Sequence, residues 1–250
     1  MKVLIALLVK EAVEDLLAAR GALLFFVASI VLSAYMILLV SNTELSLMDS
    51  AQAVYLMSGI ILTLASLLAI IRGSDGFAGE RERGTLETLL LTPATGRQLA
   101  SGKLASILLA WLILLIICTP YLWAVGRPSG YFWPALGYLS LTGTLLALTL
   151  GGLALALSAR TKSVRSVLLV GLTSLLLLGS PVLLSPSLRR SSIGRVADLL
   201  NPFADALNTL DSAVIDREGV TFQIVRLTLM VCYAIVALWL LYGTTKRIEQ

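Results

Sequence analysis

Nine charged residues lie between positions 72 and 103, bracketed by two long apolar runs: Arg72, Asp75, Glu80, Arg81, Glu82, Arg83, Glu87, Arg97 and Lys103. Such residues can bind and orient a partner, but they do not form a reaction centre. The chain has no His, hence no HExxH and no Ser with a His partner, and no carboxylates are paired inside an apolar segment. Within the stretch, Gly84 permits a turn, Leu86, Leu89 and Leu90 share one face at helical spacing, Glu87 points elsewhere and Pro93 stops the helix. The pattern predicts a short helix over 85–92 with a leucine knob, flanked by Glu80, Arg81, Glu82 and Arg83. Two settings suit the knob: a cleft on a soluble partner, with the charges fixing its register, or the lipid headgroup region.

A second pattern, Gly96-Arg97-Gln98-Leu99-Ala100-Ser101-Gly102-Lys103-Leu104, imitates a phosphate-binding loop. It places five residues between the glycines where the motif needs four, and Leu104 stands where a hydroxyl must reach magnesium. The chain is therefore expected to bind no ATP by this device.

The elements that hold these residues are membrane spans. Hydrophobic residues make up 58% of the chain and charged residues 14%, against roughly 25% charged in a soluble domain. Six segments reach the about 20 apolar residues needed to cross a bilayer: 21–40, 53–71, 104–125, 134–157, 164–184 and 222–242. The first is too long for a signal-peptide core and should remain in the mature protein. Cys118 and Cys232 fall inside spans, where they read as small packing residues. The net charge of +4 is spread over membrane-flanking loops without an aromatic groove, so lipid headgroups are expected as its counter-charge, not nucleic acid.

Lys and Arg in short loops are retained in the cytoplasm. Thirteen lie on the side that holds both termini, the 72–103 segment and the turn that carries Arg160, Lys162 and Arg165, against five opposite. Both termini are thus predicted to be cytoplasmic and the chain to lie in the plasma (inner) membrane. Residues 1–20 read as an amphipathic elbow helix along the membrane surface, or as a helical extension of the first span. In the exoplasmic loop, 185–221, Asn201-Pro202 forms an N-cap with proline at the first helical position. Phe203, Leu207, Leu210 and Val214 then recur at helical spacing, with Asp205, Asn208, Asp211 and Ser212 opposite. That helix is expected at the outer mouth of the bundle or as a plain surface helix.

The spans contain no Asp or Glu, which argues against ion coupling. Arg226 begins the last span, where its side chain is expected to snorkel to the interface. Gly143, Ala147 and Gly151 should let another helix approach closely, and Thr142, Thr144 and Thr149 can return hydrogen bonds to backbone.

The run Gly79-Glu80-Arg81-Glu82-Arg83-Gly84-Thr85-Leu86-Glu87, followed by Leu89-Leu90, Pro93, Arg97 and Gly102-Lys103, resembles the signature between the second and third spans of ABC-2-type transporter permeases. The elbow, the six spans and the exoplasmic helical loop agree with it. One departure is Gly96 ahead of Arg97, which leaves Arg97 without an assigned role. The resemblance implies an all-α integral membrane protein of a single permease domain, 1–250, paired with a second permease subunit and with separate nucleotide-binding ATPase subunits. It also implies that ATP and magnesium sit on those ATPases, with no cofactor and no enzyme site on this chain. The helix over 85–92 would be the coupling helix within the 72–103 segment: Leu86, Leu89 and Leu90 its anchors, Glu80, Arg81, Glu82 and Arg83 its orienting charges, Gly84 and Thr85 its entry, and Glu87 a partner for a basic group on the ATPase. The product would be an exporter of lipid, drug or peptide. The alternative is a membrane anchor that transmits motion from a cytoplasmic ATPase to an extracytoplasmic protein.

Overall fold

The computed structural model describes residues 19–41, 50–86, 95–128, 130–180, 192–215 and 220–245. The expected elbow up to residue 18, positions 87–94 of the coupling segment, 181–184 of the expected fifth span, and 185–191 and 216–219 of the exoplasmic loop lie outside the described residues. Among the described residues every regular element is a helix. Helices long and apolar enough to cross a membrane are α1 (Ala19–Ser41), α2 (Ser50–Glu82), α3 (Gly96–Gly126), the stack of α4 (Phe132–Leu146), a π turn (Ala147–Gly151) and α5 (Gly152–Arg160), and the last helix, Val220–Thr245.

The fifth expected span, 164–184, is described as far as Ser180. Helix α6 (Val164–Gly179) has 16 residues, about 24 Å of rise against a hydrocarbon core of about 30 Å. Pro181 has no N–H for the Leu177 carbonyl, and Ser180 satisfies that carbonyl with both its N–H and its hydroxyl. Beyond it come α7 (Ser192–Leu199), α8 (Pro202–Val214) and the last helix, α9.

Helix α2 is the centre of the bundle. Its buried residues between Ala51 and Ile70, among them Val54, Met57, Ile61 and Leu62, belong to the main core with residues of α3, α4 and α8. Its 33 residues rise about 50 Å, far more than a bilayer core requires, so the end from about Arg72 projects beyond it as continuous helix. The charged segment thus begins as an extension of a span and not as a loop. At the other end Leu207 and Phe203 of α8 pack into the main core, so α7 and α8 cap the bundle opposite the charged motif.

Small residues allow these helices to touch. A Cβ on Gly73 would lie 2.7 Å from Ala154 Cβ and 2.8 Å from the Gly151 carbonyl, and one on Gly143 would lie 2.2 Å from the Trp111 ring. Trp111 Nε1 donates to Thr144 Oγ1 at 3.1 Å, and Thr142, Thr144 and Thr149 each bond a carbonyl one turn back. The expected close-packing role of this stripe is the one observed, with α3 approaching at Gly143 and both α3 and α2 at Gly151. Cys118 is buried as a packing residue, whereas Cys232 lies on the outer face.

Candidate coupling site

The motif end is built around Ser158, fully buried on α5. Its hydroxyl donates to the Ser74 carbonyl (2.9 Å) and accepts from the N–H groups of Phe77 (3.0 Å) and Ala78 (2.8 Å). A side chain of one helix is thereby built into the backbone ladder of another. With the contact at Gly73, this fixes the projecting end of α2 to α5.

Glu80, Arg81, Glu82 and Arg83 each have a partner within the chain. Glu80 meets Lys103 of α3 at 3.2 Å, where 13% and 5% of the two side chains are exposed, enough burial to count as an internal ion pair. The Lys103 ammonium also stands 5.7 Å from the centre of the Phe77 ring. Arg81 donates to the Thr161 carbonyl and, at 3.3 Å, to that of Ala159, at the carboxyl end of α5. Glu82 accepts from the Val164 N–H at 2.8 Å, the first N–H of α6, whose own N-cap Ser163 provides no side-chain bond. A carboxylate there answers both the unpaired N–H and the positive end of the helix dipole. Arg83 reaches Asp75 at 3.2 Å, but both side chains are 40% or more exposed, so this pair contributes little.

Gly84 ends α2. With φ +69° it takes the left-handed conformation, its N–H bonds the Arg81 carbonyl at 3.2 Å and the Thr85 N–H bonds the Glu80 carbonyl at 2.9 Å. This is the six-to-one and five-to-two pairing of a Schellman cap. The Thr85 hydroxyl adds a bond to Glu80 Oε2 at 2.9 Å. Leu86 then drops into a second apolar core with Phe77, Leu99, Ala100 and Leu104. Glu80, Arg81, Glu82, Arg83 and Leu86, expected to serve a partner, each also make contacts inside the chain. Glu87, Leu89 and Leu90 lie outside the described residues. Residues 96–103, the false phosphate loop, are the first turns of α3, begun by Thr95 and Gln98 in a reciprocal capping box.

The opposite end corrects two expectations. Arg226 does not snorkel: only 7% exposed, it donates to Asp205 at 2.8 Å and Asp198 at 3.2 Å, and its guanidinium stacks 4.7 Å from the Phe222 ring centre. Asp205, read as part of a polar outer face, is fully buried, as is Thr209. Two acids and a planar five-donor cation satisfy one another better than any of them would be satisfied alone in an apolar setting. Burial pushes the Asp205 carboxyl up to about 7, against the pull of Arg226 and with a further push from Asp198. The Asn201 cap and Pro202 start of α8 are as expected, the carboxamide oxygen accepting from Phe203 and Ala204 at 3.0 and 3.2 Å.

A helical bundle with several span-length apolar helices is an integral, multi-pass membrane protein. The family model for ABC-2 family transporter proteins matches residues 39–242, and the chain belongs to that family, the membrane component of ABC transporters that works with ATP-binding subunits. A search of curated proteins finds no match.

Proposed function

We propose that the chain is the permease subunit of an ATP-driven exporter in the plasma (inner) membrane, with its termini and the charged motif in the cytoplasm. Separate ATPase subunits carry ATP and magnesium, a second permease subunit completes the pathway, and residues 84–93 form the coupling element. In this reading Leu86 moors the element to the chain, while Leu89, Leu90 and Glu87 meet the ATPase. The observation that carries it is the unbroken run of α2 from the main core to the Schellman turn at Gly84. A push on the segment beyond Thr85 is therefore a push on the central span.

A cavity of about 610 Å³ between α1, α2, α6 and α8, lined by Tyr35, Tyr55, Thr63, Leu67, Leu176 and Phe203 among others, favours an apolar or amphipathic cargo such as a lipid, drug or peptide. The burial of α8 on nearly every face leaves it little surface for an extracytoplasmic companion, which favours the exporter over the anchor. The test is Leu89→Asp with Leu90→Asp. The variant should reach the membrane yet lose the ATPase subunits on co-purification; an undiminished ATPase yield would refute the docking role.

A further inference from the structure

Arg81 and Glu82 hold the turn between α5 and α6 from its two sides. Arg81 takes the last carbonyls of the outgoing helix, at Ala159 and Thr161, and Glu82 takes the first N–H of the incoming one, at Val164. Two successive residues at the end of α2 thus bridge residues 161–163. Immediately after them comes the Schellman turn, so no slack lies between this clasp and the segment beyond Thr85.

The two helices so held are not equivalent. Helix α5 is already fixed to α2 through Ser158 and the glycine contact at Gly73. Helix α6 meets α2 by close packing, Gly171 letting it approach so near that a Cβ there would lie 2.5 Å from the Ile70 side chain, and its buried residues are Val167 and Leu175, while Leu169, Leu176 and Leu177 are exposed on its outer face. It also supplies Leu175, Leu176 and Gly179 to the wall of the cavity. A cavity-lining helix with an exposed outer face, whose first N–H is held by the motif, will follow the motif.

We infer that Glu82, with Arg81, is a positioning residue that carries displacement of the coupling segment to α6 and so to the cavity wall. The inference rests on the coupling reading above, and its experiment separates the two. The full complex with its ATPase subunits is placed in liposomes, with Cys118 and Cys232 replaced by Ala and spin labels on Leu169→Cys and Trp239→Cys, two exposed sites on α6 and α9. The distance between the labels is read without nucleotide and after trapping with ATP and vanadate.

The decisive variant is Val164→Pro. It deletes the N–H that Glu82 holds at the first helical position, where proline is welcome, and Ser163 before it is already extended, at φ −128° and ψ 124°, as a residue preceding proline must be. ATPase co-purification and hydrolysis should persist, while the nucleotide-dependent change in distance shrinks at least about fivefold. Glu82→Ala should behave alike, and Glu82→Gln, which keeps an acceptor, should restore the change. A full distance change in Val164→Pro overturns the inference and leaves the coupling reading intact. Failure of the unmutated chain to retain an ATPase overturns both.

Discussion

Lys103 and Glu80 face each other at 3.2 Å across α3 and α2, in a setting where 5% and 13% of their side chains remain exposed. Breaking a pair at that depth strands the surviving charge, at a cost of about 3–5 kcal/mol. Lys103→Met should therefore lower stability by several kcal/mol, measured as thermal unfolding in detergent. Adding Glu80→Gln, which removes the stranded charge but keeps an acceptor for Thr85, should recover more than half of the loss. Simple additivity of the two substitutions would show that the pair does not interact.

The Asp205 carboxyl gives the capping helices a dependence on pH. Its value of about 7 when docked, against 3.8 for a free side chain, means that the docked cap binds the proton more tightly than an undocked one. Docking strength from this group is then full below about pH 4 and is lost as pH rises through 7. The charged neighbours are Arg226 from α9 and Asp198 from α7. Hydrogen exchange of α8 amides, corrected for intrinsic rates, should slow by at least about tenfold between pH 8 and pH 5. Asp205→Asn should flatten that profile.

Gly143 admits no side chain, since a Cβ there would stand 2.2 Å from Trp111. Gly143→Val should destabilise by about 1–3 kcal/mol or more through overpacking, and Trp111→Ala introduced beside it should return part of the loss. Unfolding temperatures of the single and double variants, compared with Trp111→Ala alone, measure the coupling. An unchanged temperature for Gly143→Val would place α3 and α4 farther apart than described.

What could be read from sequence was whatever hydropathy and local chemistry dictate. The apolar runs gave the span-length helices, Asn201-Pro202 gave the start of α8, and the Gly143 stripe gave a close helix contact. The Thr95-x-x-Gln98 pattern was equally legible as a capping box but was masked by its likeness to a phosphate loop. Other features depended on partners distant in sequence. Nothing near Ser158 says that its hydroxyl enters the ladder of α2, and nothing near Arg226 says that two carboxylates of the capping helices come to it. The charged motif reads from sequence as a surface for a soluble partner. Here it answers helix ends that only the tertiary fold brings within reach.

The π turn at Ala147–Gly151 has a consequence for lineage as well as shape. A π turn carries one residue more than the α turn it replaces, so a regular helix through the same residues would carry everything after it about 100° further round. The turn absorbs that residue, and this is what lets Gly143 look toward Trp111 while Ser158, farther down the same stack, looks toward α2. Excising a single residue would leave both facings as they are, whereas straightening the turn with every residue kept would swing Ser158 out of its slot, and the motif would lose its footing without one of its own letters being changed.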